Sequence, residues 1–377
     1  MLIFTLMVKS CIFSLAIPYG GNFYPHLENL EGYQDFRLAY VPLVSNFTAG
    51  KMPYRDFTYA YPPLFLYLLT PFSLASLPSW TMALPLVTFD VASVILVYLI
   101  TRKFLSSSEA LLASVTFALA PINLWYNDFL WLNPPPMTFF VLLAIYVFLS
   151  KRYAGSFLCL AIATLFKQIA VILFPVFLVA LLKRSNGREV IKGAALYCAV
   201  CFLGSLPYIV TVPAYYFWYL GVPGFGSGWQ GKFTYYFGSP TNLAIVLGED
   251  AYDPAKPFLW LALLVSLAVL CWRIYRTEET DNRELISYVY YALLFFHAFF
   301  PRGIYKYYYA AVTPFSVMSA RSRRGVLVFL GLNTLILVVP RFLTPWFSFF
   351  LLVMLWKENP LSRYISGQAR RRLLKAE

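Results

Sequence analysis

The stretch Trp80-Thr81-Met82-Ala83-Leu84-Pro85-Leu86-Val87-Thr88-Phe89-Asp90-Val91-Ala92-Ser93-Val94-Ile95-Leu96-Val97-Tyr98-Leu99-Ile100-Thr101 carries one charge, Asp90. An apolar run of this length matches the roughly 20 residues that a helix needs to cross about 30 Å of hydrocarbon. Eleven further apolar segments lie at 2–18, 109–125, 135–150, 153–166, 168–183, 193–211, 257–275, 285–300, 305–320, 325–340 and 343–357. The pattern predicts an all-α fold, a polytopic transmembrane helical bundle of about twelve spans forming a single domain over 1–377. Ile17-Pro18-Tyr19 is not a small-x-small cleavage site, so segment 2–18 reads as a retained span rather than a signal peptide.

Composition agrees. Hydrophobic residues make up 60% of the 377 positions and charged ones 12%, against about 25% charged in soluble domains. A soluble chain of this length has too much surface to bury so much apolar material. The net charge of +13 is dispersed between apolar runs and forms no single basic face, which excludes a nucleic-acid partner. Cys11, Cys159, Cys198, Cys201 and Cys271 all fall inside apolar stretches. They build neither a disulfide framework nor a metal site.

Charge also orients the chain. Basic clusters stand at Arg102-Lys103, Lys151-Arg152, Lys183 to Lys192, Arg273 to Arg283, Arg321 to Arg324 and Arg370 to Arg372. An even number of predicted spans separates each from the next, so one side holds them all, and by the positive-inside rule that side is cytoplasmic. Both termini then lie in the cytoplasm, with 358–377 as a basic tail. The long loops 19–79 and 212–256 lie on the other face of the cell membrane or endoplasmic reticulum. Loops of this length in a compact protein are functional or disordered, and their content of Tyr, Phe, Trp, Gly and Pro argues against disorder. Leu64–Leu77 is too short, and too interrupted by Pro71, to span; it reads as an interfacial or re-entrant helix. Tyr215 to Tyr219 reads as an aromatic belt, and Gly221–Gly238 as a loop able to close on a ligand.

The first outer loop contains Tyr33-Gln34-Asp35, Gly50-Lys51-Met52-Pro53-Tyr54-Arg55-Asp56 and Tyr59-Ala60-Tyr61-Pro62-Pro63-Leu64. An acidic residue after the first span, then G-x-x-P-Y-x-D and Y-x-Y-P-P-L, resembles the GT-C superfamily of integral-membrane glycosyltransferases. The likeness is to the branch with GPI mannosyltransferase I and the polyprenol-phosphate-mannose-dependent mannosyltransferases. It extends to Phe89-Asp90-Val91, to Asn127-Asp128 with Asn133-Pro134-Pro135, and to Phe166-Lys167-Gln168 ahead of Pro175.

The resemblance implies transfer of a sugar, mannose first, from a polyprenyl- or dolichyl-phosphate carrier to a lipid, glycan or protein acceptor, with inversion. It implies Asp35 as the catalytic base. Tyr61, Asp56, Asp128 and Lys167 stand as substrate-binding candidates. So do Arg302 and Lys306 of Pro301-Arg302-Gly303-Ile304-Tyr305-Lys306, for which the competing reading is an interfacial anchor. GPI mannosyltransferase I has D-x-D where this chain has Tyr33-Gln34-Asp35, so a metal-chelating pair is not supported and no cofactor is implied.

Each residue also has a bland reading. Asp35 caps a juxtamembrane helix, Asp56 closes a Pro-Tyr-Arg-Asp bend, Asp128 caps a loop, and Asp90 pairs with a Ser, Thr or Tyr of another span. His297 reads as an interior histidine, and His26 carries no role. The rival functions are a secondary transporter or lipid flippase, and a non-catalytic scaffold.

Overall fold

The computed structural model describes residues 2–19, 35–185, 187–220, 249–277, 282–300, 305–320, 323–339 and 343–358. Arg302, His26, the glycine-rich stretch 221–238 and the tail beyond 358 lie outside them. The described residues form fifteen principal helices and, apart from one isolated bridge between Pro53 and Phe57, no β-structure.

In chain order these are α1 (Leu2–Ala16), α2 (Val41–Thr48), α3 (Pro63–Leu74), α4 (Leu84–Thr101), α5 (Ser107–Ala118), α6 (Pro134–Leu149), α7 (Tyr153–Phe166) and α8 (Leu173–Leu182). They continue as α9 (Gly187–Thr211), α10 (Pro213–Tyr219), α11 (Glu249–Arg276), α12 (Asn282–Phe299), α13 (Tyr308–Ser319), α14 (Arg323–Val338) and α15 (Thr344–Glu358).

Local sequence explains several of the starts. Proline occupies the first turn of α3, α4, α6 and α10, where its missing N–H costs nothing and its fixed φ suits a helix. α5 begins with a capping box in which Ser106 Oγ accepts from the Glu109 N–H and Glu109 reaches back to the Ser106 N–H.

All twelve apolar segments fall on helices, but the helices differ in length. Among the described residues four are long and apolar enough to cross a membrane: Ser79–Thr101, Ser107–Phe129, Gly187–Thr211 and Pro257–Arg276. The others are shorter; the 14 residues of α7 rise only about 21 Å at 1.5 Å per residue. The apolar helices make the chain a membrane protein, and among the described residues the expected number of spans is not matched by helix length alone. Segment 64–77 does form a helix, α3, and it continues through Pro71 to Leu74.

α6 and α7 form a tight antiparallel pair joined at Lys151, whose φ is +59°. Ser156 Oγ donates to the Ala144 carbonyl at 2.8 Å across them. α4 packs against α5 and α6, and α12 against α11, α13 and α15. The belt expected at 215–219 divides. Tyr215 is exposed, whereas Tyr216 and Tyr219 are buried beside Tyr54, with ring centres 5.0 and 6.3 Å away. That inward tyrosine cluster fixes the segment around Tyr54 to α10.

Candidate active site

Two short π-helical segments, Asp35–Tyr40 and Leu124–Phe129, carry the acidic residues singled out from the sequence, Asp35 and Asp128. Wide π turns are rare and concentrate at functional sites. The two segments meet through Trp131, whose ring centre lies 4.9 Å from Phe36 and 5.3 Å from Phe13 of α1. Trp131 is fully buried with φ at +54°. A bulky residue holds that conformation only where its surroundings impose it.

Asp35 is half-buried at the head of its segment. Burial pushes its carboxyl up to about 6, against the opposing pull of the Lys167 ammonium. Tyr40 and Tyr61 flank it with rings edge-on and centres 6.1 Å apart. Burial, with Asp35 adding to it, pushes both phenols well above their ordinary range, so both stay protonated at neutral pH.

Lys167 sits in the turn between α7 and Gln168, buried to 3% exposure. Its Nζ donates to Asn133 Oδ1 at 2.5 Å. It lies 3.7 Å from the centre of the Tyr308 ring and 4.8 Å from that of Tyr307. Burial pushes the amine down; Asp35 opposes that, and the two ring faces also favour the cation. Gln168 Nε2 donates to the Ala60 carbonyl at 3.2 Å, which brings the Lys167 turn against Tyr61. Asp35, Tyr61 and Lys167 thus converge from three distant parts of the sequence.

A cavity of about 440 Å³ opens beside this centre. Pro62 and Gln168, the chain neighbours of Tyr61 and Lys167, are part of its lining, and most of the rest of its wall is apolar, including Cys201, Phe202, Ile209, Trp260 and Phe296.

The other candidates have partners of their own. Asp128 accepts from Lys9 Nζ at 2.5 Å inside the bundle. Lys9 also bonds Asp90, whose second oxygen accepts from Asn127 Nδ2 at 2.8 Å. Asp56 is at the surface, paired with Arg55 at 2.8 Å and accepting from the Met52 N–H at 2.8 Å. Those contacts pull its carboxyl down to about 2, and the geometry is that of a closed bend. Lys306 is fully buried and donates to the carbonyls of Leu337 and Val339 at 3.3 and 2.7 Å. His297 Nδ1 donates to the Leu293 carbonyl at 2.6 Å within its own helix.

Three participants were not anticipated as such: Lys9, Asn133 as the partner of Lys167, and the Tyr307–Tyr308 faces. Lys9 had a signal, being the sole charge in segment 2–18. An ionisable residue at membrane depth is expected to have a partner. Among the described residues no group of three or more His, Cys, Asp or Glu is placed to hold a metal.

Residues 59–301 match glycosyltransferase family 87, nearly two thirds of the chain. The match includes Tyr61, Asp90, Asp128, Asn133 and Lys167; Lys9 and Asp35 precede it and Lys306 follows it. No curated protein matches the chain.

Proposed function

The chain belongs to glycosyltransferase family 87, and on that premise we propose that it moves a sugar, mannose first, from a polyprenyl- or dolichyl-phosphate carrier to an acceptor hydroxyl on the non-cytoplasmic face. The observation that carries this reading is the convergence of a half-buried carboxylate, Asp35, and a buried cation, Lys167, beside an apolar cavity. A prenyl tail suits that cavity, and the charged pair suits the sugar–phosphate junction at its end. Family membership gives the transferase reading a basis that the transporter and scaffold readings lack.

In the proposed step the acceptor oxygen forms a bond to the anomeric carbon as the carbon–oxygen bond to phosphate breaks. The acceptor proton passes to Asp35, and the departing electron pair goes to the phosphate oxygen, where Lys167 meets its charge. Attack opposite the leaving group inverts the anomeric centre. Tyr61 offers a ring to the sugar. Arg302, outside the described residues, is the second cation of this proposal.

Purified protein in detergent, given radiolabelled prenyl-phosphate mannose and a mixture of membrane glycolipid acceptors, tests it. Transfer of label that is lost in Asp35→Asn supports the reading. Transfer undiminished in Asp35→Asn removes the base, and binding of neither prenyl phosphate nor its mannoside removes the donor.

A further inference from the structure

Asn133 stands at the N-cap of α6, where an asparagine side chain ordinarily accepts from the N–H of the second or third helical residue. Here the next three residues are Pro134, Pro135 and Pro136, which have no N–H to offer. The side chain indeed makes no capping bond. It turns instead to Lys167, and because an ammonium only donates, Oδ1 is the atom that faces it. The amide orientation is thereby set, and Nδ2 is left as a donor. That nitrogen is buried, in a residue only 3% exposed, and has no partner. A buried donor without an acceptor is costly, and it lies on the same amide as the atom that meets the Lys167 ammonium.

We propose that Asn133 is a phosphate-binding residue, its Nδ2–H donating to an oxygen of the lipid phosphate while Oδ1 steers Lys167 onto the same group. The proposal deepens the reading above and rests on Lys167 facing the donor phosphate. One amide then serves two ends: it orders the cation, and it adds a neutral N–H donor whose bond is stronger to a charged acceptor such as phosphate than to a hydroxyl. An alcohol in place of the phosphate gains little from either.

The test uses the full chain in detergent and two probes of equal chain length, a prenyl monophosphate and the corresponding prenol. Affinities are measured for the wild type, Asn133→Leu, Lys167→Met and the double variant, with melting temperatures as the folding control. Asn133→Leu is expected to weaken the monophosphate about ten- to a hundred-fold, the cost of a bond to a charged group, and to leave prenol unchanged. In the Lys167→Met background it should still cost about tenfold if Nδ2 meets phosphate directly. No further loss in that background would overturn the direct contact and reduce Asn133 to a positioning residue. Lys167→Met with wild-type affinity would instead sink the parent reading of Lys167, with Asn133 judged on its single variant. Equal binding of both probes by the wild type would overturn both readings. Should Asn133→Leu fail to fold, Asn133→Asp keeps the shape and the Lys167 contact but removes the donor, and it must show the same selective loss.

Discussion

Lys9 on α1 and Asp90 in the middle of α4 bond to each other inside the bundle, across 81 positions of sequence. Asp128 shares the same ammonium, and all three side chains are at most 2% exposed. A lone Lys9, or a lone carboxylate, would be prohibitively expensive there. Together they bind α1, α4 and the second π-helical segment into one unit, from which the chain runs through Trp131 to Asn133.

Removal of Lys9 leaves two buried carboxylates facing each other. Lys9→Met is expected to destabilise the fold by about 3–5 kcal/mol, as breaking a buried ion pair on one side does. The triple variant with Asp90→Asn and Asp128→Asn should regain most of the loss. Thermal unfolding in detergent measures both, and a wild-type melting temperature for Lys9→Met alone would show that the cluster holds nothing together.

The pH dependence of turnover should reveal Asp35. A base works only when deprotonated, so kcat/KM is expected to fall as pH drops through about 6. An ordinary aspartate would retain activity to about pH 4. An acidic limb near 4 would place the base in a more solvated site than that of Asp35.

Asp35 should also lower the stability of the fold it serves. Its folded pKa is raised, so the folded state binds the proton more tightly than the unfolded chain, and stability declines as pH rises from the unfolded value toward about 6. Asp35→Asn should therefore melt higher than wild type at neutral pH, converge with it in acid, and lose about 10²–10⁴-fold in turnover. A lower melting temperature at neutral pH would contradict the burial assigned to this carboxyl.

Lys306 is expected to act on stability more than on donor binding, because its ammonium already serves the carbonyls of Leu337 and Val339. Lys306→Gln should lower the melting temperature and leave the donor KM unchanged. A tenfold rise in KM without loss of stability would return Lys306 to the phosphate.

Occupation of the apolar cavity should depend on the length of the lipid. Cys201 lines it, and Cys201→Trp fills part of it. Kinetics with long and short prenyl donors should show a selective rise in KM for the long ones. Equal effects on both would place the tail elsewhere.

Helix content and the membrane setting were legible in the sequence because both follow from local quantities: the length of an apolar run and the scarcity of charge within it. Residues 80–101, 109–125, 193–211 and 257–275 suffice to establish them. Asp35, Tyr61 and Lys167 could be picked out one at a time, from an acidic residue after the first span, an aromatic-proline motif and a cation at a turn. Their convergence could not, since it depends on how α3, α7 and the first π-helical segment pack. The same limit explains Asp128 and Lys306. Sequence left Asp128 between a site role and a loop cap, and Lys306 between a phosphate contact and an interfacial anchor, whereas packing brought Lys9 to one and helix-end carbonyls to the other. The role of Asn133 needed both levels. Three prolines in the sequence remove the capping partners of its amide, and only the fold delivers Lys167 to its oxygen. A hydrogen bond is satisfied or left open by what lies within about 3 Å, and for a helical membrane protein those neighbours come from tertiary structure.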